Sequence, residues 1–177
     1  MRIVRALVVA VGLTALIGLV EPYAELAFYA ARLPSLPAPQ SLAIPVDGVS
    51  AEALRDTWHA VRSGGRRHEG IDIFARRGTP VRATTEGVIV RVGTSRLGGF
   101  AVWVLGPGGQ RHYYAHLSRF ADVSGGQRVT PGTLLGYVGD SGNARGTSPH
   151  LHYGIYGRSG AINPFPLLQA KGRAAAR

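Results

Sequence analysis

Residues 100–117, Phe100-Ala101-Val102-Trp103-Val104-Leu105-Gly106-Pro107-Gly108-Gly109-Gln110-Arg111-His112-Tyr113-Tyr114-Ala115-His116-Leu117, form two runs rich in β-branched and aromatic residues around a glycine-proline turn. Such a pattern predicts strands over 100–105 and 110–117 joined as a hairpin by 106–109. Comparable runs stand at 80–83, 87–92, 133–138 and 151–156. These runs are closely spaced with no helical pattern between them, whereas parallel strands need crossovers that are usually helical, so the expected fold is mostly β, with an antiparallel sheet.

The chain of 177 residues suits one domain with appendages. With 45% hydrophobic residues, 17% charged residues and 25 scattered glycines, it is too apolar for a disordered chain and too aperiodic for collagen. Twenty Lys and Arg residues, of which Lys171 is the sole lysine, stand against 10 acids for a net charge of +10. That balance favours polyanionic partners such as nucleic acid, anionic lipid or bacterial cell wall. The absence of cysteine removes disulfide scaffolds, thiol nucleophiles and thiolate zinc fingers, so any metal must be held by His, Asp or Glu.

Arg2 and Arg5 precede an uncharged apolar run from Ala6 to Val20. This reads as a signal-anchor or signal peptide over 1–22. No pair of small residues two positions apart occurs within 18–32 to mark a cleavage site, which favours an uncleaved anchor with the remainder exported by the positive-inside bias. An amphipathic stretch and proline-rich linker follow over 23–49, in which Tyr23 to Ala31 would extend the helix along the membrane interface and Leu33 to Pro45 is expected to act as a semi-rigid spacer. A domain over 50–168 follows, opening on a short amphipathic helix with Ser50 as N-cap and Ala51, Leu54, Trp58 and Val61 at helical spacing. Residues 169–177 read as a flexible basic tail.

Six histidines, 59, 68, 112, 116, 150 and 152, hold the candidate chemistry. His59, beside Trp58 and far from other ligands, reads as structural. On a strand His150 and His152 point to one face while Leu151 points to the other, so the two imidazoles can share a small site. His68 and Asp72 would stand roughly 13 Å apart in an extended chain, too far for one ion, so the segment must bend, and Gly70 permits it. The run is not HExxH, and Glu69 reads as a surface acid. His112, Tyr114 and His116 share strand parity, but the two histidines lie about 13 Å apart, so only one can reach a given metal, and parity does not choose between them.

His68-Glu69-Gly70-Ile71-Asp72, Tyr113-Tyr114-Ala115-His116-Leu117-Ser118 and the stretch from Gly142-Asn143 to Pro149-His150-Leu151-His152 occur in the order and spacing of the lysostaphin/LytM-type zinc peptidases. The chain resembles that family over roughly residues 65 to 165, by motif order and spacing. Pro80-Val81, Glu86-Gly87-Val88 and Asn163-Pro164 fit the same layout. The resemblance implies a compact antiparallel β domain with a catalytic groove that hydrolyses peptide cross-links of bacterial peptidoglycan. It further implies one zinc per chain bound by His68, Asp72 and His152, with His116 and His150 as catalytic histidines and His112 as a surface residue. Three protein ligands would leave a coordination position open, as catalytic rather than structural zinc sites do. Gly154 departs from the pattern, since many relatives carry a polar or acidic residue there, and this bears on substrate preference. The competing expectation is a non-catalytic wall-binding or hydrolase-activating module of the same fold, which usually lacks one of the five positions. A nucleic-acid binder has the charge but no recognition motif.

Overall fold

The computed structural model describes Glu21 and residues 23–175. It falls into two units, 1–32 and 33–177. In the first, residues 23–32 are helical (α1), with Tyr23 and Phe28 exposed on the helix surface. The expected apolar segment over 1–20 lies outside the described residues. Among the described residues no helix is long and apolar enough to cross a membrane.

The second unit is built on one antiparallel sheet. Its strands are β1 (Ile71–Phe74), β2 (Pro80–Arg82), β3 (Gly87–Ser95), β4 (Gly99–Leu105), β5 (Arg111–Phe120), β6 (Arg128–Val129), β7 (Leu134–Val138), β8 (His150–Gly157) and β9 (Gly160–Ile162), followed by a helix, α2 (Phe165–Ala175). Every strand expected from the sequence forms. The additional strands β1, β6 and β9 are two to four residues long, too short for a period-two pattern to stand out. Strand order is β1-β8-β5-β4-β3-β6, with β7 pairing β5 and β2, and β9 pairing β8. The long strand β5 organises this sheet. It pairs β4 along one edge, and on the other it pairs β8 through Arg111 to Ala115 and β7 from Leu117 onward.

One face of the sheet buries Ile71, Ile73, Val102, Val104, Tyr114, Leu151, Tyr153 and Ile155 in a continuous core. Within it Tyr114, Tyr153, Thr84 and His112 form a polar cluster: the Thr84 hydroxyl lies 2.9 Å from the Tyr114 hydroxyl and 2.8 Å from that of Tyr153, and His112 Nδ1 lies 2.8 Å from the Tyr153 hydroxyl. His112, expected at the surface, is therefore a core residue with no solvent exposure. The hydroxyls satisfy its Nδ1, while its Nε2 is buried with no hydrogen-bond partner.

Burial pushes His112 down to about 4 from an ordinary 6.5. The folded protein keeps it neutral while the unfolded chain protonates it, so its contribution is intact above pH 6.5 and is lost as pH falls toward 4. About 3 kcal/mol is at stake. Chemical denaturation at pH 7.5 and 4.5 should show wild type losing more stability than His112→Leu, and equal losses would remove His112 as the source.

Three other expectations are corrected. The short helix after Ser50 is only a 3-10 turn, Ala51–Ala53. The Asp56 carboxylate accepts a hydrogen bond from the Trp58 backbone N–H (3.0 Å), His59 adopts φ 60°, and the chain turns back on itself instead of continuing a helix. Local side-chain bonding of this kind competes with helical bonding. The proline-rich segment is not a free spacer: Leu33, Leu42 and Val46 are buried, and Leu42 N–H donates to the Leu167 carbonyl at 2.9 Å. Its apolar side chains reach the core, which a proline-bearing chain without α-helix, lying along a surface, permits. The presumed tail begins inside α2, where Leu168 is buried and Gln169 Nε2 donates to the Ala51 carbonyl.

Candidate metal centre and groove

β8 lies between β1 and β5, with Asp72 and Ala115 both opposite His152 and Phe74 opposite His150. The two-residue period sends Leu151 into the core and both histidines onto the opposite face, as their spacing predicts. That face forms the floor of a groove of about 800 Å³ lined by all five candidate residues, His68, Asp72, His116, His150 and His152.

His68 arrives from the end of an arm over 59–68, a hairpin in which His59 N–H donates to the His68 carbonyl and His68 N–H to the Ala60 carbonyl. The approach to Asp72 is made close by Gly70, but through its missing side chain rather than a left-handed bend. A Cβ there would stand 2.6 Å from the Tyr153 carbonyl oxygen and 2.8 Å from His152 Cε1. Gly70→Ala must push β8 away, so it should lower Tm and weaken metal affinity by about 10- to 100-fold, the usual cost of disturbing a ligand's support. Unchanged affinity by competition with a chelating dye would contradict this.

His68 Nε2, His152 Nδ1 and an Asp72 oxygen converge: 2.8 Å between the imidazole nitrogens, and 3.1 and 3.4 Å from Oδ1 to His68 and His152. His68 Nδ1–H donates to the Thr57 carbonyl at 2.7 Å, so in the neutral ring Nε2 presents a lone pair. Burial works to raise the Asp72 carboxyl, but His152, His68 and the Arg62 guanidinium outweigh it and hold the group far below the usual carboxylate range. Burial also pushes His152 down, toward the neutral form a ligand needs. The three ligand atoms lie within 4.8 Å of one another, close enough for one cation to meet them all. The donor set, two imidazoles and one carboxylate, fits a divalent metal of the zinc class.

The support around these atoms was not legible in the sequence. Arg62 pairs with the second Asp72 oxygen, and the Thr57 hydroxyl accepts from the Asp72 backbone N–H at 2.9 Å. Such partners fix a ligand's orientation. Neither Thr57 nor Arg62 belongs to a spaced motif.

His116 and His150 flank the cluster, their ring centroids 5.0 Å apart. Each commits Nδ1 to a backbone carbonyl, Ser141 at 2.9 Å and Ser148 at 2.8 Å, which leaves Nε2 for the groove. His150 Nε2 stands 3.9 Å from Asp72 Oδ1. Burial, assisted by the neighbouring His152, pushes His116 down to about 4. Strict parity would put His116 beside His112 and Tyr114 in the core. A β-bulge prevents this: Val102 faces Tyr114 and Phe100 faces Leu117, so Ala115 and His116 together oppose Ala101. His116 takes φ 62° at the point where β5 passes from β8 to β7. The bulge turns its imidazole into the groove, a common use of bulges beside functional sites. His59 lies outside this constellation, stacked on Trp58 at 4.4 Å.

Residues 66–164 match the family model described as Peptidase family M23. The chain belongs to peptidase family M23. It is 43% identical over 130 residues to the L-Ala–D-Glu endopeptidase of Bacillus subtilis (strain 168), covering 67% of this chain and 40% of that protein. It is 38% identical over 114 residues to a glycyl-glycine endopeptidase of Staphylococcus capitis, covering 61% of this chain and 31% of the relative. Among solved structures, the antimicrobial peptidase lysostaphin from Staphylococcus simulans superposes with a TM-score of 0.61 at 29% identity, covering 76% of this chain and 55% of lysostaphin. This M23 chain thus spans less than half the length of these two curated relatives. Its sheet is the fold that the motif resemblance implies.

Proposed function

We propose that this M23 protein is a zinc-dependent endopeptidase that hydrolyses peptide cross-links of bacterial peptidoglycan. The observation that carries the reading is the convergence of three potential ligand atoms, from His68, Asp72 and His152, at the floor of an open groove, with two further imidazoles beside them. Relatives named for peptide-bond hydrolysis support it.

His68 Nε2, His152 Nδ1 and Asp72 Oδ1 would hold one zinc ion per chain. The bound metal supplies Lewis acidity toward the scissile carbonyl and toward water. His116, kept neutral at pH 7 by burial, can accept a proton at Nε2 from the attacking water and return it to the leaving amine. His150 Nε2, when protonated, can donate to the tetrahedral oxyanion, with its ring fixed by the bond to Ser148. Arg62 and Thr57 act on the reaction only by holding Asp72 and His68 in place.

The names of the relatives frame two bond chemistries, one beside an acidic residue and one between uncharged glycines. Mass analysis of muropeptides released from purified wall by the zinc-loaded protein tests activity and bond together. New amino termini at one linkage are expected, and an unchanged wall would leave the non-catalytic module as the better reading.

The protein acts outside the cytoplasm in this reading, anchored by residues 1–22 in the membrane and facing periplasm or cell wall. Intact mass of the cell-derived protein should correspond to an uncleaved N-terminal segment. A mature terminus between residues 18 and 32 would instead make it a secreted or periplasmic form.

A further inference from the structure

The two imidazoles beside the metal ligands lean on one loop. Residues 139–149 connect β7 to β8, and the ends of this loop are joined where the His150 backbone N–H donates to the Gly139 carbonyl at 3.0 Å. From it the Ser141 carbonyl accepts from His116 Nδ1 at 2.9 Å and the Ser148 carbonyl from His150 Nδ1 at 2.8 Å. His116 belongs to β5 and His150 to β8, so a single stretch of chain orients two rings from different strands. On the side of β4 the loop is pinned by the Ser141 hydroxyl, which accepts from the Phe100 N–H at 2.9 Å, and by the Asn143 N–H, which donates to the Leu97 carbonyl at 3.0 Å. Gly142 permits this close crossing, since a Cβ on it would collide with the Gly99 backbone. On the other side the fastening is Asp140. One of its carboxylate oxygens accepts from the Gly146 N–H at 3.3 Å, which closes the loop on itself, and the other pairs with Arg77 on the connection between β1 and β2. Hydrogen bonding from the Gly146 N–H, and after it Arg77, holds the Asp140 carboxyl below its ordinary range, so it is ionised at neutral pH.

We propose that Asp140 is a positioning residue for both His116 and His150: by closing the loop it sets the two carbonyls that fix the two rings. This rests on the peptidase reading above and deepens it, by naming what keeps both imidazoles aimed at the groove. Asp140 is not among the residues that line the groove, so it acts on geometry and not on a reacting atom. A displacement of about 1 Å in a catalytic group can cost on the order of 10²-fold in rate. The ion pair is the minor part of the fastening, because Arg77 is 54% exposed and pairs so exposed contribute little. The larger part is the charged acceptor offered to a backbone N–H, a stronger bond than a neutral one.

The test compares the zinc-loaded full chain in detergent as wild type, Asp140→Ala, Asp140→Asn and Arg77→Gln. Three quantities are measured: kcat and KM on soluble muropeptides, zinc per chain, and the Nδ1–H resonances of isotope-labelled histidine. Asp140→Ala should lower kcat by about 10-fold or more, with KM changed by less than about threefold. It should keep its zinc and displace the resonances of His116 and His150 together. Asp140→Asn, whose amide oxygen can still accept from Gly146, should recover most of the rate, and Arg77→Gln should stay within about twofold of wild type. Should Asp140→Ala not fold, Ser141→Ala, which frees the loop from Phe100, decides on the same two resonances, and both should move. Unchanged kcat in Asp140→Ala, or displacement of one resonance alone or of neither, overturns the proposal. Loss of zinc together with kcat also overturns it and makes Asp140 a general support of the fold, and an Asp140→Asn as slow as Asp140→Ala overturns the tie to Gly146. If wild type cuts no peptide but both resonances still move together in Asp140→Ala, the positioning stands and the peptidase reading falls.

Discussion

Asp72→Ala is expected to empty the metal site. A zinc site with three protein ligands has a binding free energy on the order of 12 kcal/mol, so losing one ligand should weaken affinity by roughly 10³-fold. Asp72 is also the one anion in the proposed ligand set. Its second oxygen pairs with Arg62, and its backbone N–H is held by Thr57. The backbone bond survives the substitution, and Arg62, about one-third exposed, can turn to solvent, so the fold should persist while the metal leaves. Zinc per chain after dialysis against a weak chelator reads the effect directly. Asp72→Asn, which keeps the shape and removes the charge, should retain less zinc than wild type and more than Asp72→Ala. Stoichiometric zinc in Asp72→Ala would remove this residue from the ligand set.

His116→Ala should leave zinc in place and lower kcat by about 10²- to 10⁴-fold, the contribution expected of a positioned acid–base group. Its Nε2 is not one of the three converging atoms, and an interaction made only in the transition state affects rate without ground-state binding. The backbone offers a control independent of chemistry. Because His116 sits at φ 62°, His116→Gly should be more stable than His116→Ala by about 1 kcal/mol, the reverse of their usual order in a strand. Both variants should be equally inactive. A less stable glycine variant would mean that the bulge is not strained, and full activity in either would remove His116 from the reaction.

The His-Leu-His triplet was legible because a regular strand has a period of two, and nothing interrupts β8 between His150 and His152. Asp72 and His68 were legible as a pair needing close approach, though Gly70 serves by steric absence against His152 rather than by a special φ. His116 was identified by family resemblance and not by parity. A bulge adds one residue to the count, and no rule of alternation anticipates it where β5 exchanges one neighbour for another. His112 was misplaced for the same reason: its parity is that of Tyr114, inside the core. The helical spacing over 51–61 was real but weak, since only Ala51 and Leu54 find the core and Val61 is fully outside it. The buried Leu33, Leu42 and Val46 were obscured by their prolines, whose extended preference suits packing along a surface as well as it suits a spacer. Arg62, Thr57 and the carbonyls of Ser141 and Ser148 hold the site through tertiary contacts that have no sequence spacing to read.

The division of labour between His150 and His152 is the central claim, since the two share a strand and a face and differ only in what their nitrogens meet. His152 Nδ1 belongs to the converging set, while His150 Nδ1 is committed to Ser148 and its Nε2 stands 3.9 Å from the carboxylate. Zinc content and wall hydrolysis should therefore be measured side by side on His150→Ala and His152→Ala. The expected result is a zinc-loaded, slow His150→Ala and a zinc-depleted, inactive His152→Ala. Loss of metal from His150→Ala with retention in His152→Ala would exchange their roles, and metal with full activity in both would contradict the account of this site.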